Sequence, residues 1–248
     1  MENINYEPYK LDRDKNGFLA ITKENIARIN FVISVDSKYR EDFDVDYNNS
    51  VCKCIRAYGE TTDCRKIETI VKKIDKINST HQSVSGYEKG QNNGIQLTAE
   101  YISKIDNFYN RLKAGDADIV NNLAKVFENR TTLSFASKYC TYVSRYLYNS
   151  DAYSIYDNIL QSILPYYAWV YLGENYKART QSNIFKKFAV RENLNYGGYR
   201  DLIDKIRDEV VFDISRKDFD SLLWYYYKGR DDEIKKALEC VGNENNKY

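Results

Sequence analysis

A chain of 248 residues is long enough to bury a sizeable core, as one large domain or two small ones, and its 37 Lys and Arg against 36 Asp and Glu leave a net charge of +1. That balance excludes a global field that gathers nucleic acid, so any phosphate contact has to come from a local patch. No run approaches the roughly 20 apolar residues of a membrane-spanning helix, and Met1-Glu2-Asn3-Ile4-Asn5 lacks the basic and apolar regions of a signal peptide, which together predict a cytoplasmic protein with no membrane partner.

Only Pro8 and Pro165 interrupt the chain, and apolar residues recur at intervals of three and four, so the expected fold class is all-α and multi-helix with few strands. Ile26, Ile29, Val32 and Ile33 after Thr22 suggest an early helix, and Val51, Ile55 and Tyr58 another. Cys52, Cys54 and Cys64 follow no common zinc spacing. With Cys140 and Cys240 they make an odd number of thiols, which predicts free cysteines in a reducing compartment and no metal.

Ile67, Ile70, Val71, Ile74 and Ile77 predict a helix over about 63–78, with a lysine-rich opposite face read as solvated. The stretch 79–97, bearing Gly86, Gly90 and Gly94, reads as a long connection or domain joint between lobes 1–97 and 98–248. It holds His81, the single histidine, as a solvated loop residue. Ile102, Ile105, Phe108, Tyr109 and Leu112 predict one helix between Thr98 as a start and Gly115 as a stop. A third follows Asp116 on Ile119, Leu123, Val126 and Phe127, and a fourth covers about Leu133–Tyr148 before Asn149-Ser150-Asp151.

Residues 158–172 resume the pattern, with Pro165 expected to kink or split them. A second long connection, 173–198, carries Arg179, Lys186, Lys187 and Arg191, a modest basic cluster read as a solvated loop. Residues 199–211, 216–228 and 231–241 close the chain as three helices. The 24 tyrosines, including Tyr166-Tyr167 and Tyr225-Tyr226-Tyr227, read as helix-packing residues with a wet hydroxyl in preference to base-stacking platforms.

Two residues carry a chemical possibility. Lys138 sits one turn into the fourth helix, nearly opposite its apolar face, where the plain reading is a surface lysine. Asp157 immediately precedes the next helix, where the plain reading is an N-cap. Residues 138–149 travel about 17 Å as helix and 150–156 can return about 23 Å when extended, so the chain is able to bring Asp157 back beside Lys138. A desolvated lysine amine is a nucleophile, and a carboxylate at a helix start can stabilise a cationic sugar in an oxocarbenium-like transition state.

Phe135-Ala136-Ser137-Lys138-Tyr139-Cys140 and Ile155-Tyr156-Asp157 resemble a bacterial family with the fold of 8-oxoguanine DNA glycosylase, distantly similar to the helix-hairpin-helix glycosylases and recurrent in phage-defence settings. The resemblance covers about 30 residues, with weaker likeness in the helical flanks and in Leu222-Leu223-Trp224-Tyr225-Tyr226. It includes the spacing of the family's lysine and aspartate, nineteen residues, which separates Lys138 from Asp157. It implies a cleft between two helical lobes, a base flipped from DNA, attack by Lys138 on C1′, and Asp157 stabilising charge or moving a proton. An imine to Lys138 would then permit strand cleavage.

No cofactor is implied; the partners implied are DNA or a modified nucleotide, with a partner protein of a defence system in a non-catalytic alternative. The sequence departs from the glycosylase hairpin at Asn129-Arg130-Thr131-Thr132-Leu133, which lacks the glycine turn whose amides bind phosphate. Arg130, Ser137 and Arg145 are the residues expected to contact nucleic acid in its place. A plain helical scaffold, with Lys138 and Asp157 as surface and cap, is the third reading.

Overall fold

The computed structural model describes residues 10–35, 50–59, 65–81, 93–128, 130–173 and 188–243. Among them are eleven α-helices and no strand, with one isolated antiparallel bridge between Arg13 and Leu19. The helices are α1 (Lys23–Val35), α2 (Ser50–Ala57), α3 (Ile67–His81), α4 (Asn93–Lys104), α5 (Phe108–Lys113), α6 (Asp118–Leu123), α7 (Leu133–Tyr148), α8 (Asn158–Leu172), α9 (Tyr196–Asp208), α10 (Arg216–Tyr227) and α11 (Asp231–Asn243). A short 3-10 turn at Arg191–Asn193 precedes α9. No helix among the described residues is long and apolar enough to cross a membrane.

The chain divides into two compact units, both discontinuous in sequence: one of residues 1–32, 157–188 and 198–248, the other of 33–156 and 189–197. In the first, α8 packs on α10 and α11. Its entry loop is pinned by buried polar side chains. Asn25 donates to the carbonyls of Asp12 (2.9 Å) and Ala20 (2.8 Å) and accepts from Asp12 N–H (2.8 Å). Asp14 accepts from Phe18 N–H (3.0 Å) and from the Tyr166 hydroxyl (2.5 Å), while Tyr167 donates to the Leu19 carbonyl (2.7 Å). Tyr166, Tyr167, Tyr226 and Tyr227 are therefore packing residues, as expected, with hydroxyls that meet Asp14, the Leu19 carbonyl, Glu233 and, between Tyr167 and Tyr227, each other.

In the second unit α7 is the central helix, meeting α2, α3, α5 and α6. Eleven of its sixteen residues are buried, and each large apolar side chain so placed contributes about 1.5–3 kcal/mol. Left-handed Asn149 (φ 48°) ends it, the Ser144 carbonyl accepting the Ser150 N–H at 3.3 Å.

Several expectations are corrected. The predicted helix over 98–115 is two helices. Left-handed Asn107 (φ 51°) breaks the chain between α4 and α5, and Thr98 is no start but a buried interior residue donating to the Gly94 carbonyl at 2.7 Å. Gly115, at φ +74°, does act as the stop. The third helix ends at Leu123, so Val126 and Phe127 lie in turns; the Arg130 guanidinium stacks on the Phe127 ring at 4.9 Å.

The helix read over 63–78 starts at Ile67, and it extends to His81, which is its last residue and not a loop residue. Lys73 on this helix is fully buried, against the solvated reading of its lysines, because it falls on the stripe of Ile70, Ile74 and Ile77. Pro165 does not split α8, which runs unbroken through it on a buried face of Ile163, Leu164, Tyr166, Tyr167 and Ala168. Cys64, Arg179, Lys186, Lys187, Gly86 and Gly90 lie outside the described residues.

Candidate functional site

Lys138 stands on a narrow polar line of α7, half-buried, with Ser134 one turn before it and Arg145 two turns after. The line is polar because the other faces of α7 carry the core residues Phe135, Ala136, Tyr139, Cys140, Val143 and Tyr146. After Asn149 the chain runs back along the helix. The Arg145 guanidinium meets the Asp151 carboxylate at 3.4 Å near the start of this return, and at its end the Tyr156 N–H donates to Ser137 Oγ at 2.9 Å.

The middle of the return is clamped from the other side. Tyr196, at the start of α9, receives the Ser154 N–H at 2.8 Å and donates to the Ser154 carbonyl at 2.7 Å. The Tyr153 ring stacks on Tyr196 at 6.3 Å, its hydroxyl 3.1 Å from the Leu112 carbonyl. Tyr196 carries no periodic signal at the edge of a long connection, and it is the residue of this clamp that sequence reasoning missed. Burial pushes the Tyr156 phenol up to about 12.

Asp157 follows Tyr156 and caps α8, its Oδ1 accepting the Leu160 N–H at 2.9 Å. It is 7% exposed. Lys138 belongs to the unit built on α7 and Asp157 to the unit built on α8.

Of the residues expected to contact nucleic acid, Ser137 is fully buried and its hydroxyl both donates to the Ser134 carbonyl at 3.0 Å and accepts from Tyr156. A phosphate has no access to such a group, so Ser137 holds backbone instead. Arg145 is half-buried and paired with Asp151. Arg130 precedes α7, whose N-cap Thr132 makes no side-chain bond to the first turn. Burial lowers the Arg130 guanidinium to about 10, which still leaves it charged at neutral pH.

Residues 28–147, a little under half of the chain, match a family model described as the HI_0787_N N-terminal domain. That stretch contains Arg130, Ser137, Lys138 and Arg145 and stops short of Asp157. A protein of Haemophilus influenzae described as an uncharacterized protein is 28% identical over 136 residues, 52% of this chain and 55% of its own length. The chain thus spans about half the length of that relative. No solved structure matches the chain.

Proposed function

We propose that the protein is DNA glycosylase-like: it recognises a damaged or modified base and excises it through Lys138, with the helix-hairpin-helix type of architecture that the resemblance implies and a role in defence against phage. The observation that carries this reading is the bond from Tyr156 N–H to Ser137 Oγ, which ties together the residues immediately preceding Asp157 and Lys138. In the reaction, Lys138 Nζ attacks C1′ as the glycosidic bond breaks and the base leaves with the electron pair. The resemblance assigns to the Asp157 carboxylate the stabilisation of the sugar's developing positive charge. Nζ gives up a proton and the C1′–O4′ bond then breaks, O4′ leaving as a hydroxyl and C1′ becoming a protonated imine; loss of a proton from C2′ of that imine would expel the 3′ phosphate and cleave the strand. Arg130, beside the start of α7, supplies charge for a backbone phosphate where the hairpin glycine is missing.

A second reading has its own support. Asp157 is buried and its Oδ1 is spent on the Leu160 N–H, as in a purely structural cap, so the same chain would serve as a non-catalytic nucleic-acid or nucleotide-binding module, or as a partner of another defence protein. Borohydride trapping separates the two. Incubated with duplex and single-stranded DNA carrying oxidised, alkylated or abasic positions, the enzyme forms a covalent adduct that Lys138→Gln abolishes without loss of helical signal. Salt-dependent binding with no adduct overturns catalysis and leaves the binding module.

A further inference from the structure

Four tyrosines of the α8 unit pack ring against ring. Centroid to centroid, Tyr166 meets Tyr167 at 5.3 Å, Tyr167 meets Tyr227 at 6.3 Å and Tyr227 meets Tyr226 at 4.8 Å. Trp169, one turn after Tyr166 on α8, lies 6.0 Å from it. The four tyrosines are at most 2% exposed, whereas Trp169, at 8%, reaches the edge of solvent. Rings this close are nearly in van der Waals contact, and an electron passes readily between them.

Protons decide where such a vacancy comes to rest. An oxidised phenol is so strong an acid that a buried tyrosine gives up its electron only together with its proton, which needs a base on the hydroxyl. Tyr167 donates to the Leu19 carbonyl at 2.7 Å, which is no base, and Tyr227 is left to donate to the Tyr167 oxygen at 3.0 Å. Tyr226 does donate to the Glu233 carboxylate at 2.7 Å, but Arg13 holds that carboxylate at 2.8 Å. The guanidinium carbons of Arg13 and Arg230 also stand over the Tyr226 ring at 5.3 and 4.8 Å, and two cations there oppose a positive charge on it. Tyr166 has the base without the cations: it donates to Asp14 Oδ2 at 2.5 Å, and its ring neighbours are Phe18, Tyr167 and Trp169. The Asn16 amide donates to the same phenol oxygen at 3.1 Å and holds it once the proton has left.

We infer that Tyr166 is a redox-active tyrosine, the residue on which a one-electron oxidation of this unit settles, with Asp14 as its proton acceptor and Trp169 as the point of entry. A one-electron oxidant in solution takes an electron from the Trp169 indole, whose ring N–H proton goes to solvent. Tyr166 then passes one electron to Trp169 and its hydroxyl proton to Asp14 Oδ2, and the indole recovers a proton from solvent. What remains is a Tyr166 phenoxyl radical beside a protonated Asp14. A reductant of the thiol or enediol class returns the electron, and Asp14 returns the proton. The site is independent of the Lys138 chemistry and stands whether or not that chemistry exists.

Pulse radiolysis of the full chain in azide solution at neutral pH tests it, the azidyl radical being the oxidant. Trp169 and Trp224 are the two tryptophans of the sequence, so Trp224→Phe leaves Trp169 as the one indole. In that protein the indolyl absorption decays as the phenoxyl absorption rises, in a first-order step independent of protein concentration and slower in deuterium oxide. Adding Tyr166→Phe removes the step, and adding Tyr226→Phe leaves its rate unchanged. Asp14→Asn keeps an oxygen for the Asn16 and Phe18 amides but has no base for the phenol, and slows the step about a hundredfold, the low end of what a positioned proton acceptor contributes. Absence of the first-order step, its survival in Tyr166→Phe, or a rate indifferent to Asp14→Asn overturns the inference. Should Asp14→Asn lose its helical signal, the deuterium measurement decides: an equal rate in the two solvents overturns the proton transfer.

Discussion

The Tyr156 N–H donates to Ser137 Oγ at 2.9 Å, nineteen residues back along the chain, and closes a loop made of α7 from Ser137 onward and its extended return. Ser137 is a helix residue whose hydroxyl would ordinarily satisfy itself on its own turn. Here it donates to the Ser134 carbonyl and still offers a lone pair to a backbone amide that is otherwise buried.

Ser137→Ala therefore leaves that amide without its acceptor and should cost about 1–3 kcal/mol. Chemical denaturation of the full chain reads the loss as a lower midpoint. Ser134→Ala, which removes only a half-buried hydroxyl and keeps the carbonyl, stays within about 0.5 kcal/mol of the parent. Equal effects from the two substitutions would remove Ser137 from its holding role.

At Asp157 the cap and the charge can be separated. Asp157→Ala deletes the acceptor of the Leu160 N–H and lowers stability by about 1 kcal/mol, whereas Asp157→Asn caps nearly as well and should leave the melting temperature almost unchanged. Borohydride trapping lost in the asparagine variant, with stability kept, assigns the carboxylate to chemistry. Trapping that merely follows stability across the pair assigns it to the cap.

Alkaline pH should unfold the protein in a defined window. Burial raises the phenols of Tyr156 and Tyr226 to about 12, and it also pushes those of Tyr166, Tyr167 and Tyr227 well above the ordinary phenol range. Between the ordinary phenol value of about 10 and these raised values the unfolded chain has lost protons that the native state retains, so stability falls as pH rises. The contribution is complete below about 10 and is lost upward through about 12. Tyrosinate absorbance should rise together with the loss of circular dichroism; full ionisation in a protein that keeps its helices would contradict the burial of these hydroxyls.

Asn25 makes three hydrogen bonds to the backbone of Asp12 and Ala20 from a fully buried position. Asn25→Ala should destabilise by at least about 2 kcal/mol, since more than one buried backbone group loses its partner. Limited proteolysis should then cut first between residues 10 and 22. An unchanged cleavage pattern would show that Tyr166 and Tyr167 hold the loop by themselves.

Where local signals agree with packing, the helices were legible in the sequence. Leu133–Tyr148 and Asn158–Leu172 emerge with their ends correct because a left-handed Asn149 and a capping Asp157 punctuate clean periodic runs. The break at Asn107 was not legible, because Ile102, Ile105, Phe108 and Leu112 keep helical spacing straight across it. The burial of Lys73 was masked by its charge, although its register places it on the apolar stripe. The capping role of Asp157 was readable from its segment, whereas Lys138, read as a surface lysine, is half-buried because α7 is covered on most of its circumference. The grip of Tyr196 on Ser154 was not, since it joins residues 42 apart in sequence and leaves no periodic trace.

The wide sequence separation of the Asp14–Tyr166 bond carries a consequence for biosynthesis. The two residues are 152 positions apart, so at typical translation rates of about 5–20 residues per second the entry loop waits roughly ten to thirty seconds for its anchor to be made. During that interval Phe18, Leu19 and Ile21 are on a nascent chain without the α8 tyrosines that later cover their loop. Slowing synthesis over residues 33–156 would lengthen the exposure.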